Sequence, residues 1–203
     1  MDGAAIFAKF GQDYLATERT FTMGIDRRFA TEIARRFYGR HVLETCTGGG
    51  FTTVALAEVA AHVLTVEIEP AHQLQAKHNL AIAGLSDRAT FVLADITDEE
   101  TWRRLPPMDA AFLDPDWAVT GPDHVHRFVN STTQPPADAL LRRTFSVTPN
   151  VALILPPALN VREFDNLPAH ERQKLYMGQS HELYCLYFGE LAISVGDTEF
   201  RVG

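Results

Sequence analysis

Val42-Leu43-Glu44-Thr45-Cys46-Thr47-Gly48-Gly49-Gly50 decides the fold. An apolar pair runs into a carboxylate and then into a glycine turn. The next stretch, Phe51 to Ala61, has helical composition. This is a strand, a tight turn and a helix start, a place where backbone can approach a ligand and offer it unpaired N–H groups. A second apolar run, His62 to Val66, ends in Glu67, 19 positions after Gly48. An acid so placed can accept hydrogen bonds from both hydroxyls of a ribose. The pair points to a nucleoside-containing cofactor on a parallel α/β sheet.

The turn is a poor match to a dinucleotide site. Gly48 and Gly50 fill the first two glycine positions of G-x-G-x-x-G, but Thr53 stands at the third. Glu44 beside the turn would repel a diphosphate and suits a cationic methionine moiety. S-Adenosyl-L-methionine carries an ammonium and a sulfonium and no phosphate, so it fits these acids better than NAD does. The bland alternative is a tight strand–helix turn with no ligand.

Outward from this unit, strands and helices alternate. Helices are expected over 1–19, 26–37, 51–61, 70–83, 98–105, 135–145 and 161–166. Strands are expected over 41–46, 63–67, 90–93, 109–113 and 151–155. Strand-like segments then dominate: 173–179, 182–188, 191–195 and 199–202. That is a doubly wound, mostly parallel sheet with an antiparallel edge. Residues 118–134 form a long polar stretch without periodicity, a kind of loop that is usually functional. The 203 residues, 46% hydrophobic, suit a single domain, residues 1–203, with 1–40 a helical cap and 190–203 a C-terminal hairpin extension.

The formal net charge of −8 opposes non-specific nucleic-acid binding. Arginine pairs at 27–28, 35–36, 103–104 and 142–143 read as solvated helix faces, the first two being the best candidates for a basic patch. No apolar run approaches the roughly 18 residues of a membrane span, and the N-terminus lacks a basic, then apolar, leader. With two cysteines, Cys46 and Cys185, both in expected strands, a reducing, cytoplasmic setting is the expectation. The oligomeric state is not legible.

Other strand ends carry polar groups. Asp95, followed by Ile96, reads either as an acceptor for an adenine amine, with Ile96 on the ring, or as a helix cap. Asp114-Pro115-Asp116-Trp117 is the sharpest feature. The Asp114 carboxylate and the Pro115 carbonyl would accept from the two N–H groups of a planar amine, and Trp117 would stack on the ring that bears it. His124 and His126 with Asp114 and Asp116 match no standard metal spacing.

The chain resembles the amino-methylating class I methyltransferases, whose Asn/Asp-Pro-Pro-aromatic motif is similar to Asp114-Pro115-Asp116-Trp117. Within them it is most similar to the trimethylguanosine synthase group, the RNA cap guanine-N2 methyltransferases. The likeness runs from about Phe21 to Leu191. It takes in Glu44 to Gly50, Val66 to Pro70, Asn79, the Asp95 turn, Leu155-Pro156-Pro157 and Tyr187-Phe188-Gly189-Glu190-Leu191. The resemblance implies a seven-stranded Rossmann-like sheet and S-adenosyl-L-methionine as cofactor. It implies a cofactor pocket from Thr22, Met23, Glu44, Thr45, Gly48, Gly50, Glu67, Ile68, Asp95, Ile96 and Asp114, beside Phe21. It also implies catalysis by Asp114, Pro115, Asp116 and Trp117 on an exocyclic amine of RNA or a guanine nucleotide. The chain departs from the pattern at Asp116, where the family has proline, and at Ala118-Val119-Thr120-Gly121, which lacks the Gly-Gly after the family's tryptophan. Methylation of a small metabolite, a catalytically silent cofactor-binding protein and an NAD-binding oxidoreductase are the rival readings.

Overall fold

A computed structural model describes residues 1–117, 119, 121 and 123–203; Ala118, Thr120 and Pro122, on which part of the expected loop departure falls, lie outside the described residues. The chain divides into two compact units, Met1–Met108 and Asp109–Gly203.

The first unit holds helices α1 (Gly3–Phe10), α2 (Glu18–Met23), α3 (Arg27–Ala34), α4 (Phe51–Val59), α5 (Pro70–Ile82) and α6 (Glu99–Arg104). Its strands are β1 (His41–Thr45), β2 (His62–Glu67) and β3 (Ala89–Leu93). The strands lie in the order β3-β2-β1. Both pairings are parallel, with Thr45 opposite Val66 and Glu67 opposite Leu93, so their carboxyl ends form one rim. Every residue of α4 from Phe51 to Ala57 is buried, which its apolar composition allows. Pro70 starts α5 at the first turn, where its missing N–H costs nothing.

The expected lead helix over 1–19 is broken. Asp2 caps α1, and Gly11, at φ +83°, ends it with its N–H on the Phe7 carbonyl. The chain then turns back, and a Thr17–Thr20 capping box starts α2. Phe10 stacks on Phe51, with centroids 3.6 Å apart, in a cluster with Ile6, Tyr14, Val54 and Leu80. Packing against α4 and α5 therefore overrides a single long helix.

The second unit holds β4 (Ala110–Leu113), α7 (Ala137–Thr144), β5 (Val151–Leu155), β6 (His170–Met177), β7 (Ser180–Phe188) and β8 (Gly196–Val202). The order is β4-β5-β7-β6-β8. β7 is antiparallel to both of its neighbours, whereas β4 and β5, and β6 and β8, pair in parallel. Among the described residues there are eight strands where seven were expected. Segment 161–166 is a 3-10 turn, Val161–Phe164, and 191–195 is not a strand. The C-terminal segment is no hairpin. Both edges of β7 are taken by β5 and β6, so the chain crosses β6 and pairs along its outer edge, Glu171 opposite Gly196.

The arginine pairs find nearby carboxylates: Arg28 meets Asp26, Arg35 meets Glu32, Arg103 and Arg104 meet Glu100, and Arg142 meets Asp138. These five arginines lie on solvated faces, whereas Arg143 Nε is buried. No helix among the described residues is long and apolar enough to cross a membrane.

Glu171 is fully buried and ties the extra strand down. Its carboxylate accepts from Thr198 Oγ1 at 2.7 Å and from the Ile193 N–H at 2.9 Å. Glu171→Ala should cost about 1–3 kcal/mol by stranding these donors. Denaturant unfolding measures the loss, and hydrogen exchange should speed up first at Ile193 and in β8.

Candidate active site

The rim of the first unit is organised by Glu67. Its Oε2 accepts from the Gly48 N–H at 2.8 Å and its Oε1 from the Glu69 N–H at 2.8 Å. His72 Nδ1 stands 3.9 Å from Oε1. Each carboxylate oxygen has two acceptor sites, so this clamp leaves capacity for a diol. The glycines divide the work. Gly48 is at φ +53°, and a Cβ there would meet nothing within 4 Å, so the turn is open on that side. Gly50 is at φ +78°, and a Cβ there would meet Ala76 Cβ at 2.7 Å, so it lets α4 pack on α5. Cys46 lies just past β1 in the left-handed region, φ +62°, and not inside the strand.

Glu44 is 1% exposed and accepts from Thr53 Oγ1 at 2.6 Å. Thr53, at the third position of the glycine pattern, thus serves the acid. Burial pushes the Glu44 carboxyl up to about 7; Thr53 and Thr65 oppose the shift, and the Glu67 charge adds to it. Its neighbour Thr45 is fully buried with no hydrogen-bond partner for Oγ1 among the described residues. Thr47 and Thr65 hydroxyls meet at 2.5 Å under the turn. An orphaned hydroxyl, an open glycine and a held carboxylate form a set that can receive a polar, phosphate-free nucleoside.

The other sequence-read positions in this unit vary. Ile68, Thr22 and Met23 are exposed, and Thr22 Oγ1 donates to the Glu18 carbonyl. Asp95 Oδ1 accepts from Thr97 N and Thr97 Oγ1, both at 2.7 Å, so it closes a local turn. The cap of α6 is Asp98. Ile96 is buried, and its carbonyl accepts from Trp102 Nε1 at 2.6 Å.

In the second unit, half-buried Asp114 follows the end of β4, and buried Pro115 and half-buried Asp116 and Trp117 come next. Trp117 Nε1 is buried with no hydrogen-bond partner among the described residues. Asp116 exchanges two backbone hydrogen bonds with Gln134, both 2.9 Å. A proline at 116 could not donate the first of them. The departure from the family pattern thus swaps ring rigidity for a backbone bridge. The bridge closes the base of the 118–134 loop, and Glu163 accepts from the Phe128 and Val129 N–H groups farther along it. Sequence reading missed both, since nothing local marks a pairing across 18 residues. His124 and His126 contact each other at 3.2 Å, and no group of three or more metal-binding side chains occurs among the described residues.

A family model described as RNA cap guanine-N2 methyltransferase matches residues 39–188. The chain is 32% identical over 130 residues to trimethylguanosine synthase of Schizosaccharomyces pombe, covering 60% of this chain and 52% of that protein. It is 36% identical over 92 residues to catechol O-methyltransferase of Mycobacterium tuberculosis, covering 44% and 42%. The chain thus spans about half the length of the curated relatives it matches. The O-methyltransferase TomG of Streptomyces achromogenes, solved with S-adenosylmethionine, superposes with TM-score 0.58 at 16% identity, covering 93% of this chain and 90% of that one. The fold is the Rossmann-like one of class I methyltransferases, mostly parallel as expected; the antiparallel strand, β7, lies inside the sheet and not at the expected edge, because β6 and β8 pair beyond it.

The Glu44 environment predicts a pH dependence. A carboxyl raised from 4.5 to about 7 binds its proton more tightly in the folded chain. Its contribution to stability is complete below about pH 4.5 and is lost as pH rises to about 7, roughly 3 kcal/mol in all. Urea unfolding of wild type and Glu44→Gln should show a stability difference that shifts against wild type across this window. A pH-independent difference would contradict it.

Proposed function

The chain belongs to the RNA cap guanine-N2 methyltransferase family, and on that premise we propose that it methylates an exocyclic amine of RNA or of a guanine nucleotide. Its cofactor is S-adenosyl-L-methionine, which supplies a methyl group on a cationic sulfur. The observation that carries the reading is the Glu67–Gly48 clamp beside a buried, proton-tunable Glu44. Two acids at this turn disfavour a diphosphate, and this argument, with Thr53 engaged by Glu44, sets aside the dinucleotide reading.

The proposal treats residues 1–203 as one methyltransferase domain. Glu67 takes the ribose hydroxyls. Glu44 and Thr45 favour the cationic methionine end, Gly48 and Gly50 shape the turn, and Ile68, Asp95 and Ile96 serve the adenine. Thr22 and Met23 border the same pocket. Asp114 and the Pro115 carbonyl orient the target amine, and Trp117 stacks on its ring. Its unpartnered indole N–H is a donor for that substrate. Asp116, whose backbone is bridged to Gln134, takes the proton the amine sheds on methylation. No covalent enzyme intermediate is needed, since alignment and electrostatics suffice.

The identity to a catechol O-methyltransferase and the net charge of −8 favour a second reading, methylation of a small metabolite. An activity assay with both a capped RNA and a catechol separates the two.

S-Adenosylhomocysteine should raise the melting temperature, and NAD should not; at 100 times its dissociation constant the stabilisation is about 2.7 kcal/mol. Glu67→Ala should weaken binding by about 1.5–3 kcal/mol, read by calorimetry. Stabilisation by NAD alone would sink the cofactor assignment.

Asp114→Ala and Trp117→Ala should keep near wild-type affinity for S-adenosylhomocysteine while cutting turnover. If Trp117 is instead a core aromatic under the loop, its truncation destabilises the protein by about 3–5 kcal/mol. A denaturation curve decides between the two roles.

A further inference from the structure

The N-terminal segment and the glycine turn share one buried amide. Asn79, in α5, is fully buried. Its Oδ1 accepts from the Leu15 N–H at 2.8 Å. Its Nδ2 donates to the Leu15 carbonyl at 3.0 Å and to the Gly49 carbonyl at 2.8 Å. One turn earlier, Gln75 Nε2 donates to the same Leu15 carbonyl at 2.9 Å and to Thr20 Oγ1 at 3.1 Å. Thr20 in turn belongs to the capping box that starts α2. Segment 15–20 is therefore held by two side-chain amides of α5, and the same Asn79 holds the middle of the glycine turn. Neither element is hydrogen-bonded to Asn79 through its own side chains. The turn's glycines and Leu15 offer backbone only, so the amide is what specifies the geometry.

We propose that Asn79 is a positioning residue that couples docking of the N-terminal segment, and with it α2, to the cofactor-binding shape of the turn from Cys46 to Gly50. The coupling is reciprocal: a ligand that fixes the turn also fixes the segment, and a segment that is undocked loosens the turn. An amide is required because Leu15 presents both a donor and an acceptor to the same side chain while Gly49 presents a second acceptor. Asp at 79 would set an acceptor against two carbonyls, and Leu would strand two polar groups, the Leu15 N–H and the Gly49 carbonyl. The inference rests on the cofactor reading of the turn for its ligand, and on the hydrogen bonds alone for the coupling.

Hydrogen exchange on the full chain, with and without S-adenosylhomocysteine, tests it in wild type, Asn79→Ala and the double variant Thr20→Val/Gln75→Ala. In wild type the ligand should slow exchange at 13–20, outside the pocket residues Thr22 and Met23, as well as at 46–50. In Asn79→Ala, without ligand, both segments should exchange at least tenfold faster, and affinity for S-adenosylhomocysteine should fall at least tenfold with the global unfolding transition still cooperative. The double variant releases the segment from its own side. It should speed exchange at 46–50; because the Gln75 amide also packs against Gly49, Thr20→Val alone, which loosens only the segment, should do the same and remains decisive if Asn79→Ala fails to fold. Faster exchange confined to 13–20 in these variants, with the turn as in wild type, overturns the coupling. Absence of ligand binding in wild type instead sinks the cofactor reading, and the ligand-free exchange then decides the coupling by itself.

Discussion

A carboxylate held by two backbone N–H groups is the constraint on which the first unit depends. Glu67 closes β2 and receives Gly48 N–H and Glu69 N–H, each at 2.8 Å. This bond orients the glycine turn after β1 and the first residues before α5 together. It works only because β1 and β2 are parallel and in register, which brings the turn after one strand beside the end of the other. It also sets the neighbouring chemistry. Complete burial, with a smaller addition from the Glu67 charge, makes ionisation of Glu44 costly, so a group that would be charged in water is poised near neutrality. Burying a cationic ligand group beside such an acid would favour its charged form, which is how a site can gain affinity for a cation without carrying a fixed buried charge when empty.

The parts of this design legible in the sequence are those written by local pattern. Glu44 to Gly50, Glu67 and Pro70 each follow from strand–turn–helix grammar, and the structure places the first five strands close to where composition puts them. The parts that were not legible depend on tertiary choice. The helix expected over 1–19 stops at Gly11, where Phe10 is packed on Phe51. The parallel course of β8 follows from both edges of β7 being occupied, which no residue of 196–202 announces. Asp95 reads as a cap or an adenine acceptor, and its Oδ1 closes a turn on Thr97.

The most instructive departure is Asp116. Read against the family pattern, loss of a proline looks like loss of rigidity. The backbone bridge to Gln134 supplies rigidity by another route and needs the N–H that proline lacks. The position also gains a carboxylate two residues after Asp114, and a carboxylate repels phosphate. Family membership thus fixes the class of chemistry.

The most direct test follows the methyl group. The protein is incubated with methyl-labelled S-adenosylmethionine and, separately, a capped RNA and a guanine nucleotide, and the product is digested to nucleosides for mass spectrometry. The account predicts label on an exocyclic amine and none when Asp114 is alanine. Label on an oxygen or a ring nitrogen, or transfer that survives Asp114→Ala, would contradict it.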